Sequence, residues 1–340
     1  MKNIVVGFAA VIALLLTVAM LFTAGWVHPP ILSSQTGFRG LGMDQLQTPA
    51  QAKLIKIANK LPDPIDPAPP GTDKAKDLYQ NVQVLGDLTV DQFNRVMLGM
   101  AAWVAPADQS CNYCHGDNMV SDDKYTKRVA RRMLLMVRDI NKNWTAHVAQ
   151  TGVVCYTCHR GAPVPKYTWF RGTPAGAGGY ATSNQGMGHP TRLNGSTSLQ
   201  ADPFTDTLLG TYPIRVYSEK ALPVGYGPSI QATERTYSLM ISLAKSLGVN
   251  CDFCHNTRNF AQWDGAPTQR VTAWQGIQMV RHLNVDYLEP LKAELPTMRL
   301  GPLGDSPKVY CETCHQGVNK PLQGVSIAKD WPELGGVASH

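Results

Sequence analysis

The cysteines of this chain fall into a pattern that predicts covalent cofactor attachment. All eight belong to four C-x-x-C pairs, and a histidine follows each pair directly. The motifs are Cys111, Cys114 and His115; Cys155, Cys158 and His159; Cys251, Cys254 and His255; and Cys311, Cys314 and His315. Two thiols at this spacing bond one haem, and the adjacent histidine ligates its iron. A zinc or thioredoxin-like site would not need the trailing histidine four times. We therefore predict four covalently bound c-type haems.

The histidine count limits the sixth ligands of the irons. Four bis-histidine haems need eight histidines, and the chain has nine. His28 lies beside the apolar N-terminal segment and His340 is the last residue, which leaves seven. Methionine must therefore serve some of the irons.

Amphipathic segments that are expected to form helices precede the motifs and carry the methionines. Thr89 is the expected N-cap of the first segment, and Gly248 the expected end of the third. A methionine on an apolar helix face is more often core filler than ligand, but the recurrence of helix, turn and motif favours ligation. The candidates are Met97 and Met100 before the first motif, Met133 and Met136 before the second, and Met240 before the third.

The segment before the fourth motif departs from this pattern. It aligns with the segment before the second motif, given one extra residue, and Gly276 takes the place of Met133. No equivalent methionine is therefore available locally. His147, on the loop before the second motif, is free to reach across and serve the fourth iron. Met279 and His282 are the local alternatives.

The N-terminal segment from Ile4 to Val27 contains no charged side chain. At about 1.5 Å per residue, such a helix can cross a hydrocarbon core about 30 Å thick. We predict a retained transmembrane helix, with Lys2 in the cytoplasm and the chain after Val27 on the periplasmic side. The alternative is a signal peptide cleaved near Thr23-Ala24-Gly25. No cysteine is present here to carry a lipid.

Composition and repetition predict the organisation of the chain. The net charge of +6 is dispersed, which argues against a nucleic-acid partner. We predict a mainly α fold with extensive irregular loops, a multihaem cytochrome built from two pseudo-repeated haem-pair halves, plus the N-terminal transmembrane helix. The expected segments are a transmembrane anchor at 1–27, an extended proline-rich strap at 28–72, a first haem-pair segment at 73–170, a connecting loop region at 171–230, a second haem-pair segment at 231–325 and a C-terminal tail at 326–340.

Several stretches resemble one known family, the tetrahaem cytochrome subunit of purple bacterial photosynthetic reaction centres. The matching stretches are residues 35–40, 129–133, 143–161, 246–256 and 311–321. The resemblance implies axial methionines at Met97, Met133 and Met240, and a cross-reaching histidine at His147. It also implies a near-linear row of haems, with the Cys251/Cys254 haem nearest the bacteriochlorophyll special pair and the Cys111/Cys114 haem farthest from it. Many members carry a lipid-bearing cysteine, which this chain replaces with its apolar segment.

The function implied by the resemblance is an electron relay and not an enzyme activity. A soluble donor, either a small cytochrome c or a high-potential iron–sulfur protein, would reduce the distal haem, and the electron would reach the photo-oxidised special pair. The implied partners are the pigment-bearing membrane subunits, with an antenna ring as a further neighbour, in the inner photosynthetic membrane. The acidic residues near the first motif could steer a basic donor or could form a merely solvated loop. These are Asp108, Asp117, Asp122 and Asp123.

Two other functions fit parts of the sequence. A membrane-anchored tetrahaem quinol dehydrogenase also has one N-terminal helix, but its chain is shorter and its ligation richer in histidine than the count here allows. A multihaem reductase would need one iron with an open position, whereas the methionines and His147 are expected to close all four.

Overall fold

The computed structural model describes residues 2–23, 30–35, 37, 43–148, 151–172, 191–216 and 229–335. Within these ranges the chain is mainly helical with long irregular segments and one two-stranded sheet, so the predicted fold class is confirmed at this level. The elements are α1 Lys2–Thr23, β1 Leu32–Gln35, β2 Asp44–Gln47, α2 Pro49–Ala58, α3 Ala75–Leu78, α4 Val90–Val104, α5 Tyr125–Asn143, α6 Thr145–Val148, α7 Cys155–His159, α8 Ile230–Leu247, α9 Gln269–His282 and α10 Cys311–His315.

Helix α1 is the N-terminal apolar helix expected from the sequence. Its span Ile4–Thr23 has a mean hydropathy of 2.9, and no part of it is buried against the rest of the protein. In the described part of the chain, it is the one helix whose length and composition would allow it to cross a membrane. These properties fit a membrane anchor. The expected end of this segment at Val27 lies outside the described residues.

The proline-rich region after the anchor is less extended than its composition suggests. Strands β1 and β2 form an antiparallel hairpin in which Leu32 pairs with Gln47. Helix α2 follows because Thr48 and Gln51 form a reciprocal capping box at its start. The extended run is therefore confined to residues 60–73.

The hairpin is attached beside the third C-x-x-C-H motif. The Met43 amide donates a hydrogen bond to the buried carboxylate of Asp252, at 3.1 Å. The Asn250 side chain donates to the Met43 carbonyl, at 2.8 Å. Two polar contacts far apart in sequence thus fix the proline-rich region against the segment that carries Cys251.

Helix α4 begins and helix α8 ends where the sequence predicts. Thr89 caps α4, since the Gln92 amide donates to the Thr89 hydroxyl at 3.3 Å and the Gln92 side chain accepts from the Thr89 amide at 3.0 Å. Gly248 ends α8 in the left-handed conformation, with φ of 63°. Both boundary predictions are confirmed. The two helices also carry three of the candidate methionines.

The hydrophobic core joins the four long helices after the anchor with the C-terminal segment. Its members include Val96 and Trp103 of α4, Leu134 and Val137 of α5, Leu239 of α8, and Ile277 and Val280 of α9. Trp331 packs edge-on against Trp103, with ring centroids 4.5 Å apart. A buried ion pair between Arg95 and Glu333 at 3.1 Å holds the C-terminal segment on α4. The segment expected to be a tail is thus part of the core up to residue 335.

The connecting region between the two predicted halves also contributes to the core. Phe204 and Leu208 are fully buried, and Phe204 packs against Trp169 and Tyr310 with ring centroids 5.3 and 4.9 Å away. Residues 173–190 and 217–228 of this region lie outside the described ranges. The described part is therefore an irregular segment that packs into the core.

Candidate haem-attachment and ligand sites

The four C-x-x-C-H motifs adopt two local conformations that alternate along the chain. The first and third form tight 3-10 turns, in which the amides of His115 and His255 donate to the carbonyls of Cys111 and Cys251, at 3.0 and 2.9 Å. The second and fourth are the short helices α7 and α10. The first and third motifs, which come first in the two predicted halves, thus share one conformation. The second and fourth motifs share the other.

Helices α7 and α10 are capped in the same way. The Val154 amide donates to the Thr157 hydroxyl, and the Tyr310 amide donates to the Thr313 hydroxyl, both at 3.0 Å. The threonine between the two cysteines of each motif therefore fixes the start of the helix. Both helices end at a residue in the left-handed conformation, directly after the motif histidine.

Three of the motif histidines have one ring nitrogen held by a backbone carbonyl. The Nδ1 atoms of His159, His255 and His315 lie 2.9, 3.2 and 3.0 Å from the carbonyls of Ala162, Phe260 and Val318. A proton on Nδ1 donates to that carbonyl and leaves Nε2 as a free lone pair for a metal. The Nδ1 atom of His115 is also buried but has no hydrogen-bond partner among the described residues.

Burial keeps these histidines in the form that ligates iron. It lowers the pKa of His115, His159 and His255 from its ordinary value. The pKa of His315 falls to about 4, through burial first and the neighbouring His147 ring second. Neutral imidazole is the state that a metal ligand requires.

The thiol pKa is raised at five of the motif cysteines, whereas the interaction with Cys158 lowers that of Cys314. Burial raises the pKa of Cys155 and Cys254 to about 11 and that of Cys311 to about 12. A redox-active C-x-x-C pair needs a thiolate with a lowered pKa. The five thiols with a raised pKa therefore differ from those of a thioredoxin-like site and fit cysteines that are consumed in a stable covalent bond.

A cavity of about 400 Å³ lies at the first motif. Cys111, Cys114 and His115 line it, and so do Met97 and Met100 of α4. Its volume is within the range of cofactor pockets, roughly 300–1,000 Å³. The residues present therefore fit a haem bonded to this motif with a methionine of α4 beside it. Both methionines are half-buried.

Helices α4 and α8 accept equivalent backbone hydrogen bonds from residues that follow the second and fourth motifs. The Gly161 amide donates to the Trp103 carbonyl at 3.0 Å, and the Gly317 amide donates to the Ser246 carbonyl at 2.9 Å. Each donor is the second residue after a motif histidine, and each acceptor lies near the end of a methionine-bearing helix. Six residues before each acceptor stands a methionine, which is Met97 in α4 and Met240 in α8. Counting from the helix N-caps instead makes Met100 the equivalent of Met240, because Thr89 precedes Met100 and Ser229 precedes Met240 by eleven residues.

His147 lies directly opposite the fourth motif. Its ring centroid is 6.1 Å from that of His315, with the ring planes at 67°. Two imidazoles on opposite sides of one metal, each with a metal–nitrogen bond of about 2 Å, have centroids roughly 6 Å apart. The Nδ1 atom of His147 is 2.9 Å from the Thr272 carbonyl of α9, which leaves its Nε2 free. The pair therefore fits one haem iron between the two rings.

Gly276 makes room for the His147 ring. A Cβ atom at this position would lie 2.5 Å from Cε1 and 2.9 Å from Nδ1 of the imidazole. Such distances are too short for any side chain to be accommodated without movement. The glycine found in the place of Met133 thus allows His147, from the other predicted half, to approach.

His282 and Met279, the local alternatives for the fourth iron, make other contacts. The Nε2 atom of His282 is 2.8 Å from an Asp139 carboxylate oxygen, and its Nδ1 atom is 2.5 Å from Asp286. Met279 is buried in the hydrophobic core. Both ring nitrogens of His282 are therefore engaged by carboxylates, whereas His147 uses only its Nδ1 atom in the hydrogen bond to Thr272. Met133 and Met240 are half-buried on α5 and α8.

Two buried asparagines hold the second and fourth motifs against α5 and the turn after α9. Asn141 donates to the Val153 carbonyl at 2.9 Å and accepts from the Val153 amide at 2.8 Å. Asn284 makes the same pair of bonds with Val309, at 3.0 and 2.9 Å. Each valine stands two residues before the first cysteine of its motif. Sequence reasoning missed both asparagines, although their position after the aligned Met-Val-Arg triplets was a usable signal.

Comparison with known proteins identifies the family. The model of the photosynthetic reaction centre cytochrome C subunit family matches residues 27–335. The chain belongs to this family. It is 46% identical over 318 residues to the photosynthetic reaction center cytochrome c subunit of Rubrivivax gelatinosus, covering 92% of this chain and 85% of that one. It is 44% identical to the subunit of the same name from Thermochromatium tepidum, covering 94% and 79%.

A more distant relative is the cytochrome c-554 of Chloroflexus aurantiacus, 27% identical over 307 residues, with 73% of this chain and 71% of that one covered. As a member of the reaction centre cytochrome family, the chain is a c-type haem protein that carries electrons in photosynthesis. It is an electron carrier and not an enzyme, and it associates with a reaction centre.

The acidic residues near the first motif do not form a uniform patch. Asp122 is paired with Arg131 at 2.8 Å and with Lys127 at 3.2 Å. The hydrogen bond from Arg131 holds the pKa of Asp122 well below its usual range. The carboxylates of Asp108, Asp117 and Asp123 are exposed. The hypothesis of a four-residue acidic patch is therefore reduced to these three.

Proposed function

We propose that this chain relays electrons through four covalently bound haems from a soluble periplasmic donor to the photo-oxidised special pair of a photosynthetic reaction centre. The observation that carries the proposal is the fourth site, where a motif histidine and a histidine from the other half face each other at a spacing that suits one iron. A haem closed on both sides exchanges electrons but binds no substrate.

The proposed haem contacts use the residues named by the motifs and the resemblance. The thioether bonds are made by Cys111, Cys114, Cys155, Cys158, Cys251, Cys254, Cys311 and Cys314. The iron ligands are His115 with Met97, His159 with Met133, His255 with Met240, and His315 with His147. The equal spacing of Met97 and Met240 from equivalent carbonyl acceptors supports the choice of Met97 over Met100.

The chain is further proposed to consist of two pseudo-repeated haem-pair halves. Met97 and Met240, Met133 and Gly276, and Asn141 and Asn284 are all related by the same offset of 143 residues. The alternation of motif conformations and the matched asparagine contacts support the repeat. Residues 73–170 and 231–325 are the proposed halves.

When bound, the haems supply one-electron iron chemistry. The polypeptide holds the iron ligands, excludes water by burying the rings, and sets the midpoint potentials. Thioether ligation raises a haem potential relative to imidazole. The haem held by His315 and His147 is therefore proposed to be among those of lower potential.

The proposed location follows from the apolar helix α1. It anchors the chain in the inner photosynthetic membrane and leaves the haem-binding part on the periplasmic side, where covalent haem attachment takes place. The proposed partners are the pigment-bearing membrane subunits, near the Cys251/Cys254 site, and an antenna ring around them. A small cytochrome c or a high-potential iron–sulfur protein is the proposed donor at the Cys111/Cys114 site.

The ligand of the first haem is tested by two leucine substitutions. Met97→Leu is expected to leave one iron without its thioether, so that this haem binds CO and its midpoint potential falls. Met100→Leu removes a thioether from the same cavity wall and is expected to leave CO binding and all potentials nearly unchanged. CO difference spectra and a redox titration of both variants check this. If Met100→Leu alone produced an iron that binds CO, Met100 and not Met97 would be the ligand of the first haem.

The donor-docking hypothesis is tested by neutralising the exposed carboxylates. The Asp108→Asn, Asp117→Asn and Asp123→Asn triple variant is expected to slow association of a basic donor about tenfold at low ionic strength and to weaken its salt dependence. A control variant with the same charge change elsewhere on the surface, at Asp63, Asp264 and Asp330, is expected to have little effect. Equal on-rates for the two triple variants would contradict a docking patch here.

The experiment that tests the proposed function is flash excitation of native membranes. A haem of this chain is expected to be oxidised as the special pair is re-reduced, and a soluble donor should then reduce that haem. Membranes in which the special pair recovers with no haem absorbance change would contradict the proposal.

A further inference from the structure

Arg160 lies at the junction of the two attachment helices α7 and α10. It directly follows the histidine of the second motif, and its Nη2 atom donates to the Cys314 carbonyl of the fourth motif, at 3.1 Å. Its guanidinium carbon lies 5.5 Å from the centre of the Tyr156 ring. The Cys158 and Cys314 thiols interact across the same junction, which raises the pKa of Cys158 and lowers that of Cys314. One guanidinium is therefore shared by two attachment segments.

The charge of Arg160 has no counter-ion in the described part of the chain. Its Nε and Nη1 atoms are buried and lack a hydrogen-bond partner there. The groups that act on it electrostatically are Cys158, Cys314 and Tyr156. The two cysteines carry no charge once they are bonded to haem as thioethers, and burial raises the pKa of Tyr156. Burial lowers its pKa, but a guanidinium remains protonated in proteins.

The acidic group nearest to this junction in sequence is already neutralised. Glu312, inside the fourth motif, forms an ion pair with Arg192 and accepts a hydrogen bond from the Tyr310 hydroxyl at 2.9 Å. These two charges cancel locally. Among the described residues, Arg160 is therefore the charged group at this junction that no carboxylate pairs.

We propose that Arg160 is a fixed positive charge shared by the second and fourth haem sites, and that it raises the midpoint potentials of both. Reduction adds one electron to a haem, so a nearby cation stabilises the reduced form more than the oxidised form. The effect is large in a buried site because a low dielectric screens charges weakly. This inference rests on the proposed function, since it requires haems at both motifs.

The position in the fourth motif that is equivalent to Arg160 carries a neutral side chain. Gln316 follows the histidine of the fourth motif as Arg160 follows that of the second, and the two residues have φ values of 50° and 52°. Glutamine therefore adopts the backbone conformation that position 160 requires. Arg160→Gln removes the charge and keeps this local geometry.

The test is a redox titration of the membrane-bound complex. Arg160→Gln is expected to lower the midpoint potentials of two haems, one of them the bis-imidazole haem. The expected size is about a tenfold change in the oxidised-to-reduced ratio at fixed solution potential, as for a unit charge roughly 10 Å away in a partly screened site. Arg160→Lys is expected to keep most of the effect. Lys166→Gln, which removes an exposed cation nearby in sequence, is expected to leave all potentials unchanged.

The outcomes separate this inference from the proposed function. A normal haem content with unchanged potentials in Arg160→Gln would overturn the role of Arg160, and so would an equal shift of every haem. If Arg160→Gln fails to assemble, Gln316→Arg is expected to raise the same two potentials, and the absence of that rise would overturn the inference. A wild-type protein with fewer than four haems would instead contradict the proposed function.

Discussion

Replacing His147 by methionine is expected to raise one midpoint potential and leave the other three nearly fixed. His147 faces His315 at 6.1 Å between ring centroids, and the Thr272 carbonyl holds its Nδ1 so that Nε2 is free. A thioether in this place favours the reduced iron more than an imidazole does. The expected rise is about 100 mV or more, since axial ligands tune haem potentials over roughly 0.8 V. A redox titration resolved by haem measures it.

His282→Met is the matched control for this variant. It places the same thioether on the local rival, whose imidazole is held by Asp139 and Asp286. We expect no rise in any midpoint potential, because His282 is not the proposed ligand. If His282→Met raised one potential and His147→Met raised none, the assignment of the fourth iron would pass to the local residue.

Gly276→Ala is expected to displace the His147 ring and disturb the same haem. The added Cβ would lie 2.5 Å from Cε1 of the imidazole, so either the ring or helix α9 must move. The bis-imidazole signature of one haem in electron paramagnetic resonance is expected to be lost or broadened, while four haems stay attached. Gly71→Ala, where the new Cβ meets its neighbours at 3.4 Å or more, serves as the control. An unchanged spectrum would contradict the proposed coordination.

The proposed repeat also predicts a double variant that restores a sixth ligand to the fourth iron. Gly276 stands where Met133 stands in the other half, so His147→Ala combined with Gly276→Met offers the fourth iron a methionine in the pattern of the second. The double variant is expected to be six-coordinate, whereas His147→Ala alone should bind CO. CO binding by both variants alike would count against the equivalence of the two helices.

The motifs and helix boundaries could be predicted because each depends on neighbours close in sequence. The capping box at Thr89 and the left-handed Gly248 are signals within one helical turn. The position of His147 follows from counting histidines and from a glycine that replaces a methionine. These features need no knowledge of tertiary contacts.

Contacts between distant residues could not be predicted in the same way. The aligned triplets could mark Asn284 as a special position but do not identify Val309 as its partner. No periodicity or spacing in the sequence indicates that Asp252 binds Met43. Composition suggested a continuous strap in the proline-rich region, whereas one capping box is enough to begin a helix at Pro49. The sequence offered Asp122 as a docking charge, but Arg131, on the following helix α5, forms an ion pair with it.

The charge at Arg160 shows the same limit. The sequence places Arg160 directly after a motif histidine, but only the packing of α7 against α10 shows that no described carboxylate pairs with it. Burial and pairing decide what a charge does to a nearby redox centre. Both are properties of the folded chain.

The central claim is that four haems are bonded to this polypeptide and closed on both sides. Intact-mass measurement of the purified chain, taken with its reduced absorption spectrum, tests it most directly. We expect a mass above the polypeptide's 37.1 kDa by four haems, allowing for any N-terminal processing, sharp reduced α-bands, and no CO binding. A mass equal to the bare polypeptide, or a fully reduced sample without α-bands, would contradict the account.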